Sequence, residues 1–424
     1  MATIAPFCAL RYTTGPDVSS VTAPPYDVIG PALHMKLLAD PHNIVHIDYG
    51  LGSTDPSEPN NRYAIAASLL DKWQAEGVLA EDASPALYVY EQTYAWGDDT
   101  FTRRSLVARV RLEPVGSGHI HPHERTFSGP KEDRYQLTSH TKCVLSQHLG
   151  IYPDADNEVI GLLAPFCQRQ PDLTATGTDG VTNRVWAVTE RPAIEAVVAA
   201  MADRDVFIAD GHHRYETMLR YQASLAESGE LTEDHPANYT VFVLTGSGDA
   251  GLCVMPTHRI AAGWPSCTPE RLTEALADRF DYLPLDIDPS DGEALDRSVA
   301  GAGLSEVGVL FGDRFGLLRL RDVGTLEAEL GDLSPALREL NVSVLHRLVL
   351  PALESAFGQP QMSYVHTAAE SVTAVAEGAD VSFILRATPL QSVLDVALAH
   401  ELMPQKSTYF YPKVLTGLVM YKLG

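Results

Sequence analysis

Basic charge is what this chain has least of. Its 424 residues carry 31 Lys and Arg against 55 Asp and Glu, a formal net charge of −24. The global positive footprint of a nucleic-acid-binding protein is therefore missing, and any anion site has to be a local pocket. Long apolar runs are missing too. The densest short stretch is AVVAAMA at 196–202, so no transmembrane helix and no membrane partner are expected. The first residues, MATIAPFCALRY, show no basic stretch followed by an apolar core, so no Sec-type signal is expected. Cysteine is scarce: five residues, odd in number and without a CxxC pair. That excludes a disulfide framework and fits a reducing cytoplasm. Internal repeats and long low-complexity tracts are absent as well.

What remains is ordinary globular composition, 45% apolar and 20% charged, at a length for two to three domains. Residues 62–77 carry apolar side chains at amphipathic-helix spacing. Residues 86–94 and 101–112 read as strands around the turn WGDD, and 130–141 as a short helix opening on Pro130. A second hairpin is expected from 239–244 and 251–256 around Gly246 and Gly248, and a third across 306–321. Residues 269–280 read as a helix, and 363–401 alternates strand and helix. This mixture of hairpins and strand–helix units predicts an α+β fold with mixed sheets. Residues 1–260 form the catalytic region and 261–400 an acidic accessory region of strands and helices. Residues 401–424 form a C-terminal segment folding back on the catalytic half. The accessory region includes 270–340, with 16 acids against 7 basic residues.

The clearest chemical signal is DVFIADGHHRYE at 205–216. A short apolar strand ends at Asp210, Gly211 allows a tight turn, and a helix starts with Asp210 as its expected N-cap. A helix N-terminus binds phosphate. Arg214 can add a bidentate fork, and His212 and His213 further donors. The blander reading is a capped helix start with exposed histidines and an Arg–Asp pair.

A second signal is HIHPHERTFSGPKEDR at 119–134. Its three alternate histidines do not have HExxH spacing and no Cys pair joins them, so a zinc site is the weaker reading. Glu124 is a candidate general base for a hydroxyl proton. Lys131 and Arg134 lie three apart on a helix and can share a face that clamps phosphate oxygens. The blander alternative is a solvated helix with local pairs such as Asp133–Arg134. The third signal is MPQKSTYFYPK at 403–413, which concentrates Lys406 and Lys413 in an acidic chain beside an apolar TYFY. No GxxxxGK phosphate loop is present.

With APPYDVI at 23–29, NIVHIDYG at 43–50, PTHR at 256–259 and SVLHRLVLPAL at 343–353, these segments resemble, over the whole chain, the family known as domain of unknown function 1015. The family name implies no activity. The DGHHR unit is also similar to the nucleotide-phosphate motif of the ParB/sulfiredoxin fold, and closest to its free-serine kinases. That resemblance implies a ParB/sulfiredoxin-like core, ATP or ADP, Mg²⁺, and phosphoryl transfer to or from a small hydroxyl compound, first L-serine or O-phosphoserine. Under it, Gly211, His212, His213 and Arg214 hold the phosphates. Lys131 and Arg134, with Lys406 and Lys413, offset charge, and Glu124, Asp210 or His213 moves the proton. Sulfiredoxin chemistry needs a Cys that this stretch lacks. The alternatives are a phosphoserine-type phosphatase without nucleotide and a nucleotide-gated, ParB-like binding protein.

Overall fold

The computed structural model describes residues 2–126 and 128–424. The chain is α+β and divides into two compact units. The first comprises the residues up to Pro122, Thr126–Leu252 and Pro412–Gly424. The second comprises His123–Arg125 and Cys253–Tyr411. The division thus falls after Leu252, and the C-terminal segment is shared, 401–411 belonging to the second unit and 412–424 to the first.

The first unit is built on one mixed sheet. Its strands run Ile120–His121, Val206–Asp210, His148–Tyr152, Tyr239–Gly246, Asp99–Arg111, Leu87–Trp96, Thr182–Val188 and Leu173–Thr176, with Ile4–Ala5 also beside Asp99–Arg111. Tyr239–Gly246 is parallel to His148–Tyr152 and Val206–Asp210 is parallel to Ile120–His121; the other pairings are antiparallel. The central strands are apolar on both faces and deeply buried, as in Leu87–Tyr90, Leu106–Ala108 and Val241–Leu244. Helix Ser128–Thr141, two residues longer at its start than expected, packs between His212–Ser228 and Arg62–Ala75. Arg62–Ala75 is capped by Asn61, whose side chain accepts from the Tyr63 and Ala64 N–H groups.

One expected hairpin is absent. Tyr239–Gly246 has both edges occupied, by Asp99–Arg111 and His148–Tyr152. The strand Cys253–Met255 pairs instead with Tyr409–Tyr411. Two long-range partners outcompete the adjacent segment, and the turn around Gly246–Gly248 connects one unit to the other in sequence rather than two paired strands.

The second unit carries a six-stranded sheet, antiparallel throughout. Its order is Phe280–Pro284, Phe315–Leu320, Val307–Leu310, Val381–Ile384, His258–Ala262 and Gln361–Val365. The expected helix over 269–280 stops at Leu276, and Phe280 opens a strand. Leu295, Val299, Ala368 and Ile384 meet Leu310, Phe315 and Leu317 in its core. Helix Ala368–Ala376 starts with a full capping box between Thr367 and Glu370. Among the described residues, no helix is long and apolar enough to cross a membrane.

Candidate functional site

Strand Val206–Asp210 lies inside the first unit's sheet because VFIA is apolar and covered by its neighbours. Its pairing with His148–Tyr152 shifts register between Ile208 and Asp210, a bulge that re-aims the last residue. Gly211 follows at φ +94 and is the N-cap of helix His212–Ser228. That helix buries Tyr215, Met218, Tyr221 and Leu225 along one face and ends on Gly229, also left-handed.

Asp210 is not the N-cap, contrary to expectation: that position is Gly211, which has no side chain to cap with. Its carboxylate is taken by two cations. Arg214 Nη2 lies 2.6 Å from Oδ2, and Lys413 Nζ lies 2.6 Å from Oδ1. Burial pushes this carboxyl up, but the Lys413 and Arg214 charges outweigh it and hold it well below the usual carboxylate range. Such a group is a weak proton acceptor at neutral pH. Of the three groups named for moving the proton, Asp210 therefore fits the role of organising cations better than that of removing a proton. The Arg–Asp pair of the blander reading is present, with Lys413 as its third member.

Arg214 also donates to the Gln147 carbonyl. Next to it lies His148, which sequence reasoning missed because nothing in SQHLG marks it. His148 is fully buried. Its Nδ1 donates to the Gly211 carbonyl at 3.3 Å, and Nε2 accepts from the Thr240 hydroxyl at 2.8 Å. Burial, and then the Arg214 charge, lower its pKa to about 3, so the imidazole is neutral. A Cβ on Gly211 would come within 3.1 Å of both the Arg214 guanidinium and His148 Nδ1. Gly211→Ala is therefore expected to destabilise the first unit by about 1–3 kcal/mol, through left-handed strain plus crowding. Urea unfolding checks this, and an unchanged midpoint would mean the turn is not held as described.

A small cavity of about 40 Å³ lies beside this turn, lined by Asp48, Arg134, Ser146, His148, Arg214 and Thr217 among others. It has room for about one water, not for a nucleotide. It is where three of the sequence segments meet. Arg134 is buried, 3.0 Å from Asp48 and 2.6 Å from Asp133, with Tyr26 stacked at 4.1 Å. The local Asp133–Arg134 pair of the blander reading is thus present. Burial raises the Asp48 carboxyl while Arg134 and Arg214 oppose the rise. Tyr26 comes from APPYD and Asp48 from NIVHIDYG; neither was singled out as a site residue, since an isolated Tyr or Asp carries no local signal.

Lys131 and Arg134 do not act alike. Lys131 is partly exposed, 2.7 Å from Glu216 and 3.1 Å from the Thr126 hydroxyl. It lines an open groove of about 570 Å³ along helices Ser128–Thr141 and His212–Ser228, together with Glu132, Glu216, Thr217 and Arg220. That volume is within the range of small-ligand sites. The alternate histidines divide: His119 and His121 both face Asp205, at 2.6 and 3.3 Å, while His123 in the second unit lies 2.9 Å from the Thr408 hydroxyl. Glu124 and Lys406 also belong to the second unit, where Glu124 Oε1 accepts from the Lys406 N–H at 3.0 Å. His212 is buried and His213 half-buried at the first turn of the helix. Among the described residues, no group of three or more His, Cys, Asp or Glu side chains is placed to hold a metal ion.

Solved structures similar to this chain include a free serine kinase in complex with AMP (TM-score 0.36, 13% identity, 74% of this chain and 97% of that one). A conserved hypothetical protein from Pyrococcus furiosus has a TM-score of 0.35 at 15% identity, over 72% of this chain and 92% of that one. C-terminally truncated SbnI from Staphylococcus aureus has a TM-score of 0.38 at 10% identity, over 74% and 86%. Likenesses this slight bear no weight on activity. No curated protein matches the sequence significantly. The sequence profile of "Protein of unknown function (DUF1015)" matches residues 4–343, and the chain belongs to that family.

Proposed function

We propose that the protein is a phosphotransferase moving a phosphoryl group between ATP or ADP and a small hydroxyl compound, with free L-serine as the first acceptor to test. The observation that carries this reading is the helix start at Gly211. A 17-residue helix begins without a side-chain cap, and Arg214 and Lys413 stand at its first turn against one carboxylate. Two cations and one anion leave a net positive charge in a chain of −24, added to the helix's own positive end.

In this reading Gly211, His212, His213 and Arg214 bind the phosphates through main-chain and side-chain donors. Asp210 holds the two cations in place. Arg134, already committed to two carboxylates, positions the helix Ser128–Thr141 rather than touching phosphate. Lys131, on the open groove, offsets charge on the transferred group. Phosphoryl transfer needs positioning and neutralisation more than covalent help. The acceptor oxygen forms a new bond to phosphorus as the bond to the leaving phosphate breaks, and the hydroxyl proton passes to His213, the candidate base in the same unit as Gly211. Mg²⁺, if used, arrives with the nucleotide.

The test is turnover with ATP across a panel of hydroxyl compounds. His213→Gln is expected to lower kcat by about 100-fold or more, the range for losing a general base. Full turnover in His213→Gln would remove the assigned base. Titration separates the other readings: a phosphatase ignores nucleotide, and a ParB-like switch binds nucleotide without turning over a small hydroxyl compound.

A further inference from the structure

The second unit holds a buried cation that no carboxylate among the described residues meets at ion-pair distance. Arg259, in strand His258–Ala262, is 1% exposed. Among the described residues, no carboxylate lies within ion-pair distance of it. Its guanidinium donates instead to main-chain carbonyls, those of Thr257, Gln405 at 3.2 Å and Lys406 at 3.0 Å. Its Nε has no acceptor among the described residues. The Tyr364 ring stands 5.7 Å away. Burial lowers the Arg259 pKa to about 10, with Tyr364 and Glu124 opposing the drop. A buried charge that no carboxylate meets directly is costly, and folded proteins ordinarily pair it.

Two neighbours complete the picture. His346 Nε2 is buried without a partner; burial and then the Arg259 charge lower its pKa to about 4, so it is neutral and able to donate one hydrogen bond. It sits in the π-helical turn Leu345–Val349, a form frequent at functional sites. On the other side, Lys406 adopts a left-handed conformation, φ 56, unusual for a residue with a side chain. Its carbonyl faces Arg259 and its N–H faces Glu124. PTHR, SVLHR and MPQKS thus converge on one guanidinium.

We propose that Arg259 anchors a binding site for a small carboxylate, covered in this conformation by the turn at Gln405–Lys406. The planar fork suits a carboxylate, and one positive charge balances a monoanion. A dianionic phosphate would leave excess negative charge beside a neutral His346 and the Glu124 carboxylate. The carbonyls of Gln405 and Lys406 hold the Nη2 position that a carboxylate oxygen takes. Binding displaces them, relaxes Lys406 from its left-handed conformation, and removes its N–H from Glu124. This site lies within the second unit and needs no nucleotide, so it stands or falls separately from the phosphotransferase reading.

The experiment uses the full chain without nucleotide. Acetate, glycine, L-serine and inorganic phosphate are titrated calorimetrically, and amide exchange of the peptide covering 403–408 is followed in parallel. At least one carboxylate is expected to bind, with faster exchange in 403–408, whereas phosphate, which the helix start at Gly211 can take, is expected to leave exchange in 403–408 unchanged. Arg259→Gln should weaken carboxylate binding about 10- to 150-fold, the worth of a charged hydrogen bond. Should that variant fail to fold, Lys406→Gly, which relieves the left-handed strain of the cover, should bind carboxylate more weakly than wild type. Absence of heat and of exchange change with every carboxylate would overturn the proposal and leave Arg259 as a tie for the turn. Faster exchange in 403–408 with phosphate and with no carboxylate, or undiminished carboxylate binding in either variant, would overturn it equally.

Discussion

Arg214→Ala is expected to weaken ADP binding by about 10- to 150-fold, the equivalent of one charged hydrogen bond to phosphate. The geometry makes this the most sensitive single position. Arg214 is on the first turn of helix His212–Ser228, joined to Asp210 at 2.6 Å and to the Gln147 carbonyl, with its guanidinium on the small cavity. Both contacts pre-order the fork, so little side-chain entropy remains to be lost on binding phosphate. Truncation also removes a charge acting on His148 and Asp48. The His148 pKa should then rise from about 3, while burial keeps it below the ordinary histidine range. Calorimetric titration of ADP reads the affinity, and a melt confirms that the variant is folded. Unchanged ADP affinity in a folded Arg214→Ala protein would strike the phosphate role from this residue.

Asp210→Asn carries the largest expected stability effect. Lys413 and Arg214 both approach its carboxylate at 2.6 Å, and the side chain is only 19% exposed. Removing the charge leaves two cations facing each other without the carboxylate that holds both. A loss of about 3 kcal/mol is expected, the low end for breaking a buried pair because some solvent reaches the group. The sign with pH follows from the depressed carboxyl. Its contribution is fully present above the unfolded carboxylate pKa, near 4, and is lost as pH falls through the lower folded value. Wild type and Asp210→Asn should therefore differ at pH 7 and converge in strong acid. Adding Lys413→Met to the Asn variant should recover part of the loss, because it relieves the repulsion. A variant as stable as wild type at pH 7 would show that the three charges are solvated and independent.

The strand–turn–helix at 205–229 was legible because each level agreed. DVFIA is apolar, Gly211 permits the left-handed turn, and the apolar spacing of the helix runs to Gly229. Family membership was legible in the same way, through segments spread along the whole chain. The tertiary consequences were not. Spacing of three placed Lys131 and Arg134 on one face, yet said nothing about burial, and the structure buries Arg134 against Asp48 while Lys131 lies on an open groove. Asp210 has the residue type and place of an N-cap, but two cations compete for its carboxylate, one of them 203 residues later in the chain. The false hairpin at 239–256 failed for the same reason: local turn residues are visible in sequence, and distant strand partners are not. His148, Asp48 and Arg259 matter through what surrounds them, which no local pattern records.

The central claim is that the helix start at Gly211 binds nucleotide by its phosphates. Titrating adenosine, AMP and ADP into the intact protein tests it most directly. The account predicts that affinity climbs with each phosphate, with adenosine weakest and ADP at least about tenfold tighter than AMP, as one further charged contact requires. Equal affinities for adenosine and ADP, or no binding of any of the three, would contradict it.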